Sequence, residues 1–244
     1  MSANSRDSGE FPDQSTHQLD PDGTYRGLEV VEHRVIVEGQ EILVSGLKDA
    51  ADLLEEADFG ARFIQDDVAP YGMELWPASK MLAHFVASQS QTMIARHAPA
   101  ARMLEIGAGL GLISILAARL GWEVTATDHE PASLAFAVRN AERNKVAIAV
   151  RHLDWHAPPT WPRFPVITAS DVLYELKNQD PVLSCIDGLL AEDGEAWISD
   201  PCRGVADRFE RLAQSSGFHV RIESATATNR GGEAVSGRIF VLSR

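Results

Sequence analysis

The run Glu105-Ile106-Gly107-Ala108-Gly109-Leu110-Gly111 constrains this chain more than any other stretch. It closes a short apolar strand, Met103-Leu104-Glu105-Ile106, and opens a helix that reads from Leu110 to Leu120 and stops at Gly121. Glycines at 107, 109 and 111 allow a sharp turn and let a ligand approach the backbone without meeting a Cβ. The start of the helix adds N–H groups with no partner inside the helix. Dinucleotide-binding proteins also carry glycine loops, so spacing alone does not name a ligand. Here the pattern is G-A-G-L-G rather than G-x-G-x-x-G, and Glu105 stands two residues before the first glycine. A carboxylate at that place is awkward beside a pyrophosphate and suits a ligand with an ammonium group. The plain alternative is a tight turn with a partly buried acid.

The rest of the chain predicts strands alternating with helices. Val124 to Thr127 is a strand ending at Asp128, Pro131 to Asn144 a helix, and Val146 to Leu153 a strand. Val166 to Ala169 is a strand, residues 180–191 a helix, Ala196 to Ser199 a strand, and residues 206–216 a helix ending at Gly217. Val220 with Ile222, and Ile239 to Leu242, mark two last strands with no helix between them, so they should pair antiparallel at one edge. This order predicts an α/β fold, a largely parallel sheet covered by helices on both faces.

Ahead of that domain, Leu28 to Ser45 reads as a β-hairpin around Gly39-Gln40, and residues 49–58 as a short helix. The stretch Pro70-Tyr71-Gly72-Met73-Glu74-Leu75-Trp76-Pro77 then leads into an amphipathic helix over Ala78 to Ser90, with Pro77 suited to its first turn. Residues 1–25 are polar with few large apolar groups, and are expected to be a disordered tail. The expected domains are therefore a tail (1–25), a hairpin and helix extension (26–75) and a ligand-binding domain (76–244).

With 244 residues, 45% of them apolar, the chain can bury one sizeable core. A net charge of −13 repels phosphate backbones, so nucleic acid is not the expected partner. A basic protein or a small neutral or cationic molecule fits better, although acidity can serve solubility alone. Cys185 and Cys202 have no close-spaced partner, and His84, His97, His152 and His156 have no metal-ligand spacing, so no metal is expected. Reduced cysteines, no basic-then-apolar leader and no membrane-length apolar run lead us to expect a cytoplasmic protein away from the membrane.

Two further acids follow strands. Asp128 can accept hydrogen bonds from both hydroxyls of a ribose, or cap the helix at Pro131. Asp154, in Leu153-Asp154-Trp155, can accept from an adenine amino group beside the flat indole, or Trp155 can be a core plug. His129 can stack on the same base. Together, the acidic strand with its glycine loop and the acid after the second strand resemble the class I, seven-stranded S-adenosylmethionine methyltransferases. The resemblance implies a Rossmann-like sheet with strand order 3-2-1-4-5-7-6 and S-adenosyl-L-methionine as cofactor. It places Glu105, Gly107, Ala108, Gly109 and Gly111 around that cofactor, Asp128 on its ribose, and Asp154 or Trp155 near its adenine.

At the end of the fourth strand of that sheet stands Ser170-Asp171-Val172-Leu173-Tyr174-Glu175, with no proline of the kind that amide- and adenine-directed enzymes carry. Asp171-x-x-Tyr174 resembles the D-x-x-Y motif of the protein-lysine methyltransferase group, which is nicotinamide N-methyltransferase-like. Trp76-Pro77-Ala78 and Leu153-Asp154-Trp155 are similar to two other signatures of that group. The resemblance implies that Trp76 covers the methionine end of the cofactor, that Ser170 contacts the cofactor through its backbone, and that Asp171 and Tyr174 face the acceptor nitrogen. Otherwise Asp171 caps a turn, Tyr174 fills the sheet edge and Trp76 is an ordinary aromatic at a helix start. Glu74 and Glu175 can shape the entrance. The expected partner is a protein with a lysine acceptor or a small amine, with an oligomeric state that the sequence leaves open. A nicotinamide dehydrogenase and a non-catalytic adapter are the readings from other classes.

Overall fold

A computed structural model describes residues 23–25, 27–48, 50 and 70–244. Most of the expected tail, and the expected helix over residues 49–58 except Ala50, lie outside the described residues. Tyr25 falls inside the span expected to be disordered, yet it is fully buried and meets Phe136 edge-on at 5.5 Å. An aromatic at the end of a polar stretch has found a wall to pack on.

Strands β1 (Val30–Val37) and β2 (Gln40–Leu47) form the expected hairpin as a separate two-stranded sheet. Its turn is Glu38-Gly39, and both residues have positive φ (46° and 77°), the backbone that the right-handed twist of a tight hairpin requires. Helix α1 (Pro77–His97) is longer than the expected Ala78 to Ser90. Its apolar face continues to the buried Met93, and Pro99 is the first residue that forbids further helix.

The core of the molecule is a seven-stranded sheet built from β3 (Arg102–Ile106), β4 (Glu123–Asp128), β5 (Ala149–His152), β6 (Phe164–Ser170), β7 (Leu190–Asp200), β8 (His219–Thr228) and β9 (Ala234–Ser243). The order across it is β5-β4-β3-β6-β7-β9-β8. Counted from β3, this is the order 3-2-1-4-5-7-6 that the resemblance implies. β3 to β7 are parallel, and β9 enters antiparallel between β7 and β8, so the final hairpin forms the edge.

Helices α2 (Leu112–Leu120), α3 (Pro131–Arg143), α4 (Leu176–Leu189) and α5 (Phe209–Ser215) cross between strands. Alternation along the strands splits the core into two faces. Met103, Val124, Val166, Trp197 and Val241 pack with α1, α2 and the hairpin. Leu104, Ile106, Ile167, Ala169, Ile198 and Phe240 pack with α4 and α5 on the other side. Helix α4 begins four residues before the expected start at 180, because Pro181 sits in its second turn rather than its first. The expected helix over 206–216 opens as a 3-10 turn, Gly204–Arg208, and becomes α-helical only at Phe209.

Candidate active site

Strands β3, β4, β5 and β6 run parallel, so the loops at their C-terminal ends gather on one rim. Such crevices are where open α/β sheets bind ligands. Here the rim surrounds a cavity of about 780 Å³. It brings together Trp76, Glu105, Gly107, Ala108, Gly109, Asp128, Asp154, Trp155, Ser170, Asp171 and Tyr174. Gly111 does not line it. This glycine has φ 79° at the start of α2, and a Cβ there would stand 3.1 Å from the Cβ of Ala137. Gly111 thus lets α2 pack closely against α3.

Glu105 is 1% exposed and points from β3 towards α2, where one carboxylate oxygen accepts from both the backbone N–H (2.9 Å) and the hydroxyl of Ser114. Burial pushes its pKa up to about 8, with the Asp128 charge adding to the rise. In the unliganded protein at neutral pH this acid therefore holds its proton. A ligand bearing a positive charge nearby would favour the ionised form instead.

Asp128 serves two purposes at once. One oxygen accepts from the N–H of Gly109 at 2.8 Å, which ties the glycine loop to β4, and the other accepts from the N–H of Glu130 at 2.9 Å. Burial raises its pKa, and these backbone donors pull it back. Asp154 is more open and accepts from the N–H and ring of His156 at 2.8 and 3.1 Å; the backbone bond is the main reason its pKa is lowered. Trp155 lies against the glycine loop, its ring 3.5 Å from where a Gly107 Cβ would be. His129 also lines the cavity and packs on His152, with ring centres 5.5 Å apart.

A flap closes the cavity from the other side. Residues Pro70–Met73 form a 3-10 turn whose Gly72 presses on both Gly109 and Ser133. A Cβ on Gly109 would come within 2.7 Å of the Gly72 carbonyl, so two glycines are needed where flap and loop cross. Trp76 donates its indole N–H to the carbonyl of Tyr71 at 2.7 Å, which locks flap to helix α1. The ring of Tyr71 sits 6.3 Å from that of Tyr174 at the mouth.

Asp171 follows β6 in a left-handed conformation, φ 55°, with its N–H donating to Ser199 of β7 at 2.9 Å. Both its oxygens accept from Arg203, Nε and Nη2, each at 2.8 Å. Arg203 lies in the loop after β7, lines the cavity, and did not stand out in the sequence. No motif spacing marks it; only the sheet order puts the loop after β7 beside the one after β6. Tyr174 is 40% exposed, and burial together with Glu175, Asp128, Tyr71 and Asp171 pushes its phenol up to about 12. It remains a neutral hydrogen-bond donor across the physiological range. Glu74 and Glu175 also reach the rim.

A family model described as lysine methyltransferase matches residues 34–210. The chain belongs to that family. Relatives of this lysine methyltransferase family member include the protein-lysine methyltransferase METTL21E of Bos taurus, 32% identical over 58% of this chain and 53% of that protein. The histone-arginine methyltransferase METTL23 of Homo sapiens is 30% identical over 64% of this chain and 85% of that protein. The chain spans about half the length of the first curated relatives it matches. Among solved structures, a T. thermophilus 16S rRNA methyltransferase in complex with AdoMet and guanosine superposes with a TM-score of 0.56 at 16% identity. It covers 89% of this chain and 51% of that one, and shows the Rossmann-like methyltransferase fold. The match from residue 34 includes most of the hairpin, so the family's unit begins before the sheet.

Proposed function

We propose that this protein is an S-adenosylmethionine-dependent methyltransferase that methylates the side-chain nitrogen of a lysine in a protein substrate. One observation carries the reading: a single cavity has the glycine loop and Asp128 along one wall and Asp171 with Tyr174 at its mouth. The chemistry of the lining fits this cofactor. Glu105 offers an acid to an ammonium group, Asp128 one to a ribose diol, and Asp154 with Trp155 a polar edge and an apolar wall to a purine. It suits a dinucleotide less well, since a pyrophosphate on the glycine loop would meet Glu105. Among the described residues, the Lys and Arg side chains lining the cavity, Lys177 and Arg203, are already paired with Glu175 and Asp171.

The cofactor, when bound, supplies a methyl group on a positively charged sulfur. What the chain must do is hold a neutral amine in line with it and keep water away. Trp76 and the Tyr71 flap would exclude water, and the Tyr174 hydroxyl would orient the nitrogen. The Asp171 carboxylate would stabilise the positive charge that grows on nitrogen during transfer. Neither side chain needs to take a proton, since solvent can remove it before the amine binds.

The test is incubation with tritiated S-adenosylmethionine and a cell extract, followed by separation of protein from small molecules. Label on a protein band, located on lysine by mass spectrometry, is the expected result. Label on arginine would move the acceptor to the guanidinium group that the METTL23 relative's name indicates. Label confined to small molecules would favour the alternative of a nicotinamide-like amine. Asp171→Asn, which keeps the left-handed backbone that asparagine tolerates, should bind S-adenosylhomocysteine as the parent does and lose at least about 99% of transfer, a typical loss for one electrostatic group in a transition state. Full turnover in that variant would remove Asp171 from the mechanism.

A further inference from the structure

The pairing of Asp171 with Arg203 is built more firmly than a surface contact. The Asp171 side chain is 8% exposed, whereas the neighbouring Lys177–Glu175 pair is 75% and 43% exposed. Arg203 is held at three points. Its N–H donates to Asp200 Oδ2 at 3.0 Å, its carbonyl accepts from Arg238 Nη2 at 3.2 Å, and its guanidinium grips Asp171. Arg238 in turn donates its Nε to the same oxygen of Asp200, at 3.1 Å. Asp200 is fully buried at the end of β7, so the loop that carries Arg203 is fixed to the sheet. A carboxylate at the mouth of the cavity is thus presented with its charge already matched.

That arrangement solves a problem specific to amine acceptors. A methyl group can be taken only by a nitrogen with a free lone pair, and at pH 7.5 roughly one lysine in a thousand has one. A lone carboxylate at the mouth would worsen the ratio, because it attracts the unreactive ammonium ion. We propose that Arg203 is the positioning residue that sets the charge preference of the acceptor site: by holding both oxygens of Asp171 it prevents the mouth from trapping the acceptor as an ammonium ion. The proposal rests on the amine-acceptor reading above. Asp171 still offers its remaining lone pairs to a neutral amine, and what remains of its field still favours the charge that grows on nitrogen as the bond forms.

The test uses n-butylammonium as the probe and n-butanol as its uncharged counterpart, titrated by NMR at pH 7.5 into the full chain with and without S-adenosylhomocysteine. Arg203→Met keeps the length of the side chain and removes its charge. It should bind n-butylammonium about tenfold more tightly than the parent, the order expected for one uncompensated charge at a part-exposed site, with n-butanol unchanged. Arg203→Lys, which keeps the charge but not the two-pronged grip, should stay near the parent. Asp171→Asn combined with Arg203→Met should lose the gain. Arg203→Gln serves in place of methionine if that variant unfolds. Equal or weaker n-butylammonium binding in the charge-free variants, or an equal gain for n-butanol, would overturn the proposal. Failure to bind S-adenosylhomocysteine would instead sink the methyltransferase reading, and the titration of the unliganded chain would still decide the role of Arg203.

Discussion

Glu105 is the residue whose ionisation state must change most if the cavity takes a cationic ligand. Its unfolded value is near 4.5 and its folded value about 8, raised mainly by burial. A folded state that holds a proton more tightly than the unfolded chain is favoured at low pH. The stability from this group is full below about 4.5 and is lost as pH rises through 8. Glu105→Gln should therefore melt with the parent at pH 5 and be more stable at pH 9, by on the order of 3 kcal/mol. Equal melting curves at pH 9 would refute the raised value. The same proton gives a binding signature. S-adenosylhomocysteine, with its ammonium group, should drive about one proton from the parent at pH 7, read as a buffer-dependent heat in calorimetry and lost in the glutamine variant. Glu105, Asp128 and Asp171 stood out in the sequence because each lies near the C-terminal end of a strand or just past it and carries a charge that such a place seldom tolerates idly. Arg203 was not, since its importance comes from a partner 32 positions away. A glycine that makes room for a helix, as Gly111 does beside Ala137, looks the same in sequence as one that makes room for a ligand.

At the scale of elements, periodicity and glycine punctuation gave every strand and helix of the sheet domain, and the misses lie at their ends. Proline misled at α4, where it sits inside the helix, and the 3-10 turn before α5 has no signal distinct from helix. What periodicity could not reveal is how the hairpin attaches. Helix α3 presents Asn140, one turn before Asn144, and their carboxamides imitate a strand. Asn140 accepts from Ser45 N–H at 2.8 Å and donates to the Ser45 carbonyl at 2.9 Å. It donates again to the carbonyl of Leu110 at 3.0 Å, next to the glycine loop. Asn144 does the same with Leu43, accepting at 3.1 Å and donating at 2.6 Å. An amide in a helix reads as a surface residue until a strand edge is known to lie beside it. Asn140 is fully buried, so Asn140→Ala would strand three backbone groups without water. We expect a loss of about 2–4 kcal/mol in urea unfolding. Asn140→Asp, which keeps the acceptor and loses the donors, should be as harmful. A loss below about 0.5 kcal/mol, the level of an ordinary surface change, would show that the clasp is ornamental.

Over the whole molecule, the clasp ties the hairpin to the sheet domain, and we expect the two to open as one cooperative unit. Val37, Ile42 and Val44 are fully buried, and with Val35 and Leu47 they share a cluster with Ile113, Leu116 and Phe136 beneath the sheet. Five such side chains, at about 1.5–3 kcal/mol each, contribute an amount comparable with the net stability of a whole domain. The sheet could not lose that cover and keep its cavity, because Gly46 of β2 lies against Leu110 in the turn and against the flap at Met73. The amides of β1 and β2 should therefore exchange hydrogen through the same global opening as those of β3 and β6. Ile42→Ala should lower the opening free energy of both sets equally, by about 2–4 kcal/mol, although it touches only the hairpin. Ile36→Ser, on the exposed side of β1 at 61%, should change neither. If the hairpin amides of the Ile42 variant exchanged faster while those of Leu104 and Ile167 held their protection, the hairpin would be a separate unit that can lift from the glycine loop. The cavity would then have a second, mobile wall.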